Sequence, residues 1–407
     1  MALVSKILGD CPSCGRKDGY GIVNVSGNTL NRGCLSCRHW DRTPLPALDK
    51  KVIYLDQYFY SHAFRGSHPS FVEAKGLIQE VAASQLAVAP YSNVHEDETH
   101  LWSPEKRDDL MKFIKQTSAG HRFNPEYQVQ ITQIANAFGA FLKRDSTEAK
   151  IIKSDALPDD LNDWDDYLWI DVPAFKPDVE KIRSSKTEAV ASLMDLFEEW
   201  AARSSTFDQD VKDELRGGQR SYTKSYVEYA KRIANGEIHA MFDSPVASQI
   251  VETLMHYDGT RLPATIRMQR IQAFFESEYF ENVPLERISS EFFALLRHRL
   301  RLGAYRNKTK AQSKFKGFFY DVRFIAAYAP YCDAMVVDAL MHSWATDPLI
   351  DLPRKFGTRF FSRTNWGEFL DYLRGILRSK SDEVAAALRL IHPSSYKVPE
   401  WISRGIL

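Results

Sequence analysis

Apolar and polar positions follow two rhythms along the chain. Short continuous apolar runs, Val52–Leu55, Leu86–Ala89 and Ala334–Val337, read as strands covered on both faces, as in a parallel sheet. "TRFFS" near residue 360 reads as a fourth. Between the second and third runs the period lengthens. "KTEAVASLMDLFEEWAARSS" and "SYTKSYVEYAKRIANGEIHAMF" repeat apolar residues at helical spacing, punctuated by Gly217-Gly218 and Gly236. Ser103 followed by Pro104 marks where this helical stretch opens. After it, Val322, Ile325, Ala326 and Tyr328 suit the buried side of a short helix with Asp321 as its cap, which Pro330 ends. "NWGEFLDYLRGILRS" is a last helix. Strands alternating with helices in this order predict an α/β fold on a parallel sheet, interrupted by a mostly helical insertion.

The first 45 residues differ. Cys11, Cys14, Cys34 and Cys37 form two C-x2-C pairs, the spacing that sets four thiolates around one tetrahedral zinc. Gly15 follows the first pair, where a tight turn favours glycine. The spacer reads as two strands around Ser26-Gly27-Asn28, and the whole resembles a zinc ribbon. Two disulfides are the alternative, disfavoured in a reducing compartment. Four protein thiolates would close the shell, so such a zinc is structural. The pattern leaves open whether the ribbon grips nucleic acid, grips protein or only stabilises a module. "DRTPLPALDKK" then reads as a linker. The expected units are a ribbon at 1–45, two parts of one α/β domain at 46–102 and 311–407, and a helical insertion at 103–310.

Charge changes the picture only locally. Lys and Arg equal Asp and Glu at 53 each, so any basic surface must be confined to one region. One such region is "RHRLRLGAYRNKTKAQSKFKG", with Arg297, Arg299, Arg301, Arg306, Lys308, Lys310, Lys314 and Lys316. Tyr305 and Phe315 are interleaved. It suits phosphates and stacked bases, so contact with nucleic acid is expected, with a solvated helix and loop as the alternative. No apolar run is long enough for a membrane span, and the N-terminus turns polar too soon for a signal-peptide core. A cytoplasmic location is expected.

Carboxylates sit at the strand ends. Asp56 follows Val52–Leu55, and Asp338 follows Ala334–Val337. Ligands collect at the carboxyl ends of strands in open parallel sheets. Each acid alone also fits a helix cap. Glu98 lies on a short helix after Leu86–Ala89, on the same face as His95, a candidate proton-transfer group. Asp333 precedes the third run and is open between metal ligand and structural hydrogen bond; Cys332 beside it reads as packing.

"VIYLDQ", "PYSNVHEDE", "DVRFIAAYAPYCDAMVVD" and "FSRTNWGEFLDYL" resemble the successive motifs of PIN-like nuclease domains, over about residues 50–100 and 318–378. The resemblance implies a three-layer α/β/α fold. It implies a carboxylate cluster binding Mg2+ or Mn2+, carried by Asp56, Glu98, Asp321 and Asp338 with Asp333 nearby, and phosphodiester hydrolysis. RNA is favoured over DNA, and a toxin or antiviral role fits by analogy. The insertion and ribbon depart from a minimal domain of this kind. A protein partner or regulator, or an oligomer, stays compatible. Two other readings are a catalytically silent PIN-like protein that binds nucleic acid or protein, and a metal-dependent phosphohydrolase acting on small nucleotides.

Overall fold

The computed structural model describes residues 2–148, 150–158, 161–164, 188, 190–237, 239, 245–257, 262–315 and 317–399. Two sheets organise it. The first is antiparallel, in the order β1-β2-β3-β4: β1 (Lys6–Gly9), β2 (Tyr20–Ser26), β3 (Thr29–Cys34) and β4 (Trp40–Pro44). The β2–β3 hairpin turns at Gly27, whose φ of 56° is cheap only for glycine. β4 takes up the first part of the expected linker. Asp41 pairs with Arg32, and the strand stops at Pro44, which lacks a donor for further pairing.

The second sheet is parallel throughout: β5 (Lys51–Leu55), β6 (Ala87–Val88), β7 (Ala334–Val336) and β8 (Arg359–Phe361), in the order β6-β5-β7-β8. Its continuous apolar runs feed two cores. Val52, Tyr54, Val88, Met335 and Phe360 meet the helices Pro284–Arg301, Phe318–Tyr328 and Ala339–Ala345. Ile53, Leu55, Ala87, Ala334, Val336 and Phe361 meet the helices Gln57–Arg65, Pro69–Ala83, Pro104–Thr117 and Trp366–Arg378. With a side-chain period of two, a strand needs apolar residues at every position when both faces are covered.

This topology positions a crevice. From β5 the chain leaves onto the second core, through Phe59 and Phe71, to reach β6. From β7 it leaves onto the first, through Met341 and Trp344, to reach β8. Neighbouring strands whose connections part to opposite faces open a cleft at their carboxyl ends. Asp56 and Asp338 stand there.

Helix Pro104–Thr117 packs on the sheet, whereas Glu126–Lys143, Phe207–Ala234, Val246–Tyr257 and Ala264–Phe275 share a separate core around Phe138, Leu215, Leu254 and Phe274. Asp321 is not the cap expected of it. Gly317 is the N-cap, and the Asp321 amide already donates to the Gly317 carbonyl at 3.0 Å, inside the first turn. The antiparallel sheet is fastened where β5 begins. Ile22 and Leu30 pack with Leu45, Leu48 and Trp164, and with Val384 and Ile391 of the helix Asp382–Ile391. No helix among the described residues is long and apolar enough to cross a membrane.

Candidate metal centre and carboxylate edge

The four early cysteines converge. Cys11 and Cys37 sulfurs are 3.7 Å apart, Cys14 and Cys34 sulfurs 3.8 Å, and all four lie within 4.8 Å of one another. Sulfurs at about 2.3 Å from a tetrahedral zinc stand roughly 3.8 Å apart, against about 2 Å in a disulfide. The thiols therefore form a group that can hold a structural zinc, and the disulfide alternative does not fit. Gly15, at φ 69°, returns the first knuckle by donating to the Cys11 carbonyl at 3.0 Å. The Cys37 and Ser36 amides, at 3.4 and 3.3 Å, aim at the Cys34 sulfur and draw its thiol down to about 6. The Cys37 thiol beside it is held up at about 11, the His39 amide being outweighed by burial and the other cysteines, and a zinc shell would take all four as thiolates.

At the carboxyl edge of the parallel sheet, Asp56 caps the Gln57–Arg65 helix, accepting from the Gln57 amide at 2.6 Å. Burial, then the charges of Glu98 and Asp338, push its carboxyl up to about 8. Three acids thus share one neighbourhood. Asp338 caps the Ala339–Ala345 helix, accepting from the Met341 amide at 2.8 Å. Glu98 rides on the helix Asn93–Thr99, which is tied once to β5 and once to the helix that follows it. Gln57 Nε2 donates to Thr99 Oγ1 at 3.1 Å, and His95 Nε2 donates to the Leu55 carbonyl at 2.7 Å.

His95 is fully buried, and its Nδ1 accepts from the Ser92 amide at 2.8 Å. Burial lowers it to about 4, so it is a neutral strut holding two elements together and not a proton carrier near neutrality. Asp321 lies further round. Its carboxylate rests against Gly317, where a Cβ would stand 3.0 Å from Oδ2. It joins Asp56 and Glu98 in acting on buried Tyr54, whose hydroxyl is raised first by burial and then by Asp56.

These carboxylates are neighbours in charge but not gathered to coordination distance. Among the described residues only the four cysteines bring three or more ligand atoms that close. Asp56 and Asp338 each keep an oxygen on a helix amide, and like charges repel.

Asp333 belongs elsewhere. It lies at the amino end of β7, at the opposite edge of the sheet from Asp338. It accepts from the Val52 amide at 2.9 Å and pairs with Lys51 and Lys153, each at 3.2 Å. Burial alone would raise its carboxyl; the Val52 amide and Lys153 outweigh burial and hold it below the usual range. Its role is to staple β5 to β7. Beside it, burial first pushes the Cys332 thiol far up, consistent with packing.

Three arginines of the basic run are held by acids of the fold. Arg297 reaches Glu214, lies 3.8 Å from Asp210 and stacks on Trp200. Arg301 pairs with Asp210 at 2.6 Å, and Arg299 with Asp347 at 2.8 Å. Of the expected aromatics, Phe315 is fully buried and Tyr305 packs on it. Arg306, Lys310 and Lys314 stay exposed; Lys316 and the side chain of Lys308 lie outside the described residues.

Two groups at the acid cluster went unread in the sequence. The buried Tyr58 hydroxyl has no hydrogen-bond partner among the described residues. Burial raises its pKa to about 12; Arg363 opposes that, while Asp56 and Asp338 add to it. Arg363, exposed just past β8, is thus the nearby cation. Its signal was its place: another residue immediately after a parallel strand.

Compared with protein-family models, curated proteins and solved structures, the chain matches none of them.

Proposed function

We propose that the chain is a metal-dependent nuclease that hydrolyses phosphodiester bonds in nucleic acid, RNA in preference to DNA. In this reading the parallel sheet and its two helical layers are a PIN-like α/β/α domain, interrupted by the helical insertion and preceded by a zinc ribbon. One observation carries it. Asp56, Glu98 and Asp338 lie close enough to feel one another's charge where β5 and β7 part, and burial first, then the charges of Glu98 and Asp338, raise the Asp56 carboxyl to about 8. Buried like charges are costly, and a hard cation relieves them with the oxygen ligands it prefers. Asp56, Glu98 and Asp338 would hold Mg2+ or Mn2+, with Asp321 at the margin. When bound, such an ion polarises a phosphate and acidifies a water.

The chain's own groups set the stage. Helix amides orient Asp56 and Asp338, His95 fixes the Leu55 carbonyl beside Asp56, and Arg363 supplies a cation for a phosphate oxygen. The separation of the carboxylates favours a second reading: a silent PIN-like protein that binds without cutting. Incubating the chain with labelled RNA, single-stranded DNA and duplex, with Mg2+, Mn2+ or neither, separates the two. Cleavage of RNA only when the cation is present is expected. Intact substrates in every lane would overturn the nuclease reading.

A further inference from the structure

The ribbon carries what the basic run lacks, an uncovered ring among uncommitted cations. Trp40 remains 43% exposed on edge strand β4. Its indole lies against Gly33 on β3, where a Cβ would come within 3.0 Å of Cε3. Arg42 shares that side of β4, opposite Asn31. Asn31 donates to Asn24 of β2 at 2.9 Å, and Asn24 is exposed. Arg38, in the zinc knuckle two residues before Trp40, and Lys17, in the other knuckle, are exposed too. Lys17, Arg38 and Arg42 pair with no acid among the described residues. The sheet's other side is taken, with Ile22 and Leu30 buried against the last helix.

We infer that this face of the ribbon binds single-stranded nucleic acid, RNA in the cell's terms, with a base stacked on Trp40 and phosphates on Arg38 and Arg42. The charge complementarity decides the occupant. Over Gly33, Ala2 and the half-buried Val23 adjoin the ring. An exposed indole of this kind, flanked by free guanidiniums and the Asn24 amide, suits a base, its backbone and a base edge better than the broad apolar patch of a protein partner. The inference rests on the nuclease reading for the class of ligand. It goes beyond that reading by placing the grip away from the chemistry. The ribbon adjoins the amino end of β5, and the acids stand past its carboxyl end, a strand of five residues or about 17 Å away. The ribbon is thus a tether for long strands and not a wall of the cleavage site.

The test uses the full zinc-loaded chain and a long fluorescein-labelled oligouridylate, read by anisotropy without added divalent cation over a range of NaCl. Trp40→Ala should weaken binding about tenfold, with Trp40→Phe keeping most of it. Arg38→Ala with Arg42→Ala should flatten the slope of log Kd against log salt by about 1.4. Zinc content and circular dichroism, unchanged in each variant, show that the fold is kept. Affinity of Trp40→Ala within about twofold of wild type, with zinc intact, would overturn the proposal, as would equal affinity for duplex. If the ribbon variants bind weakly and the wild type never cleaves, the tether stands and the nuclease reading falls. If cleavage depends on Mn2+ while the ribbon variants bind as wild type, the tether alone falls.

Discussion

Asp56 holds a proton that a solvated aspartate would have lost. Its carboxyl stands at about 8 when folded, against an ordinary value of 3.8. Between roughly pH 4 and pH 8 the folded state therefore binds the extra proton, and stability falls as pH rises through that window. Asp56→Asn removes the liability. At pH 8 without divalent cation the variant should melt several degrees above wild type, the gap closing towards pH 4. Added Mn2+ should narrow it from the other side by stabilising wild type more. Thermal melts at the two pH values check this, and a variant that melts below wild type at pH 8 would show that the carboxylate's cap bond outweighs its repulsion. Asp333 has the opposite character, and its place was legible. In a parallel sheet, the residue before a strand and the residue after it lie at opposite edges, so Asp333 and Asp338 could not share a site. Its partner Lys153 lies 180 positions upstream, and only the fold brings it near.

The helix Pro284–Arg301 shows why an element's charge pattern misleads when read alone. Arg297 and Arg301 are one turn apart, and both face Asp210, fully buried on the helix Phe207–Ala234. That acid is about ninety positions away in sequence, so periodicity marks the basic face without revealing what covers it. Asp210→Ala strips Arg301 of its acid and leaves Arg297 with Glu214 alone, and should cost about 3 kcal/mol, read by urea unfolding. Arg301→Ala should also destabilise, where a solvated cation would leave the midpoint unmoved. The ribbon is the contrary case, since its ligands are close in sequence and the spacing alone predicted their convergence. Cys11→Ser with Cys34→Ser should remove about one zinc per chain, measured by elemental analysis, and loosen the ribbon's strands. Wild-type protein purified without chelator and holding no zinc would contradict the assignment.

Across the whole molecule, the two edges of the parallel sheet divide the labour. The amino edge carries the staple at Asp333 and adjoins the ribbon; the carboxyl edge carries the acids and Arg363. The strand runs and the carboxylates after them were legible because fully buried strands are continuous in sequence and a strand end is a fixed address. The separate core of the insertion and the pairing of the basic run were not, because they depend on contacts between distant helices. The most direct test compares the two edges. Labelled single-stranded RNA is incubated with wild type, Asp338→Asn and Asp333→Asn, with and without Mn2+, each variant first shown to be folded. Mn2+-dependent cleavage should be lost in Asp338→Asn and kept in Asp333→Asn, which should instead melt lower. Cleavage that survives Asp338→Asn, or that Asp333→Asn abolishes in a folded chain, would contradict the placement of the chemistry at the carboxyl edge.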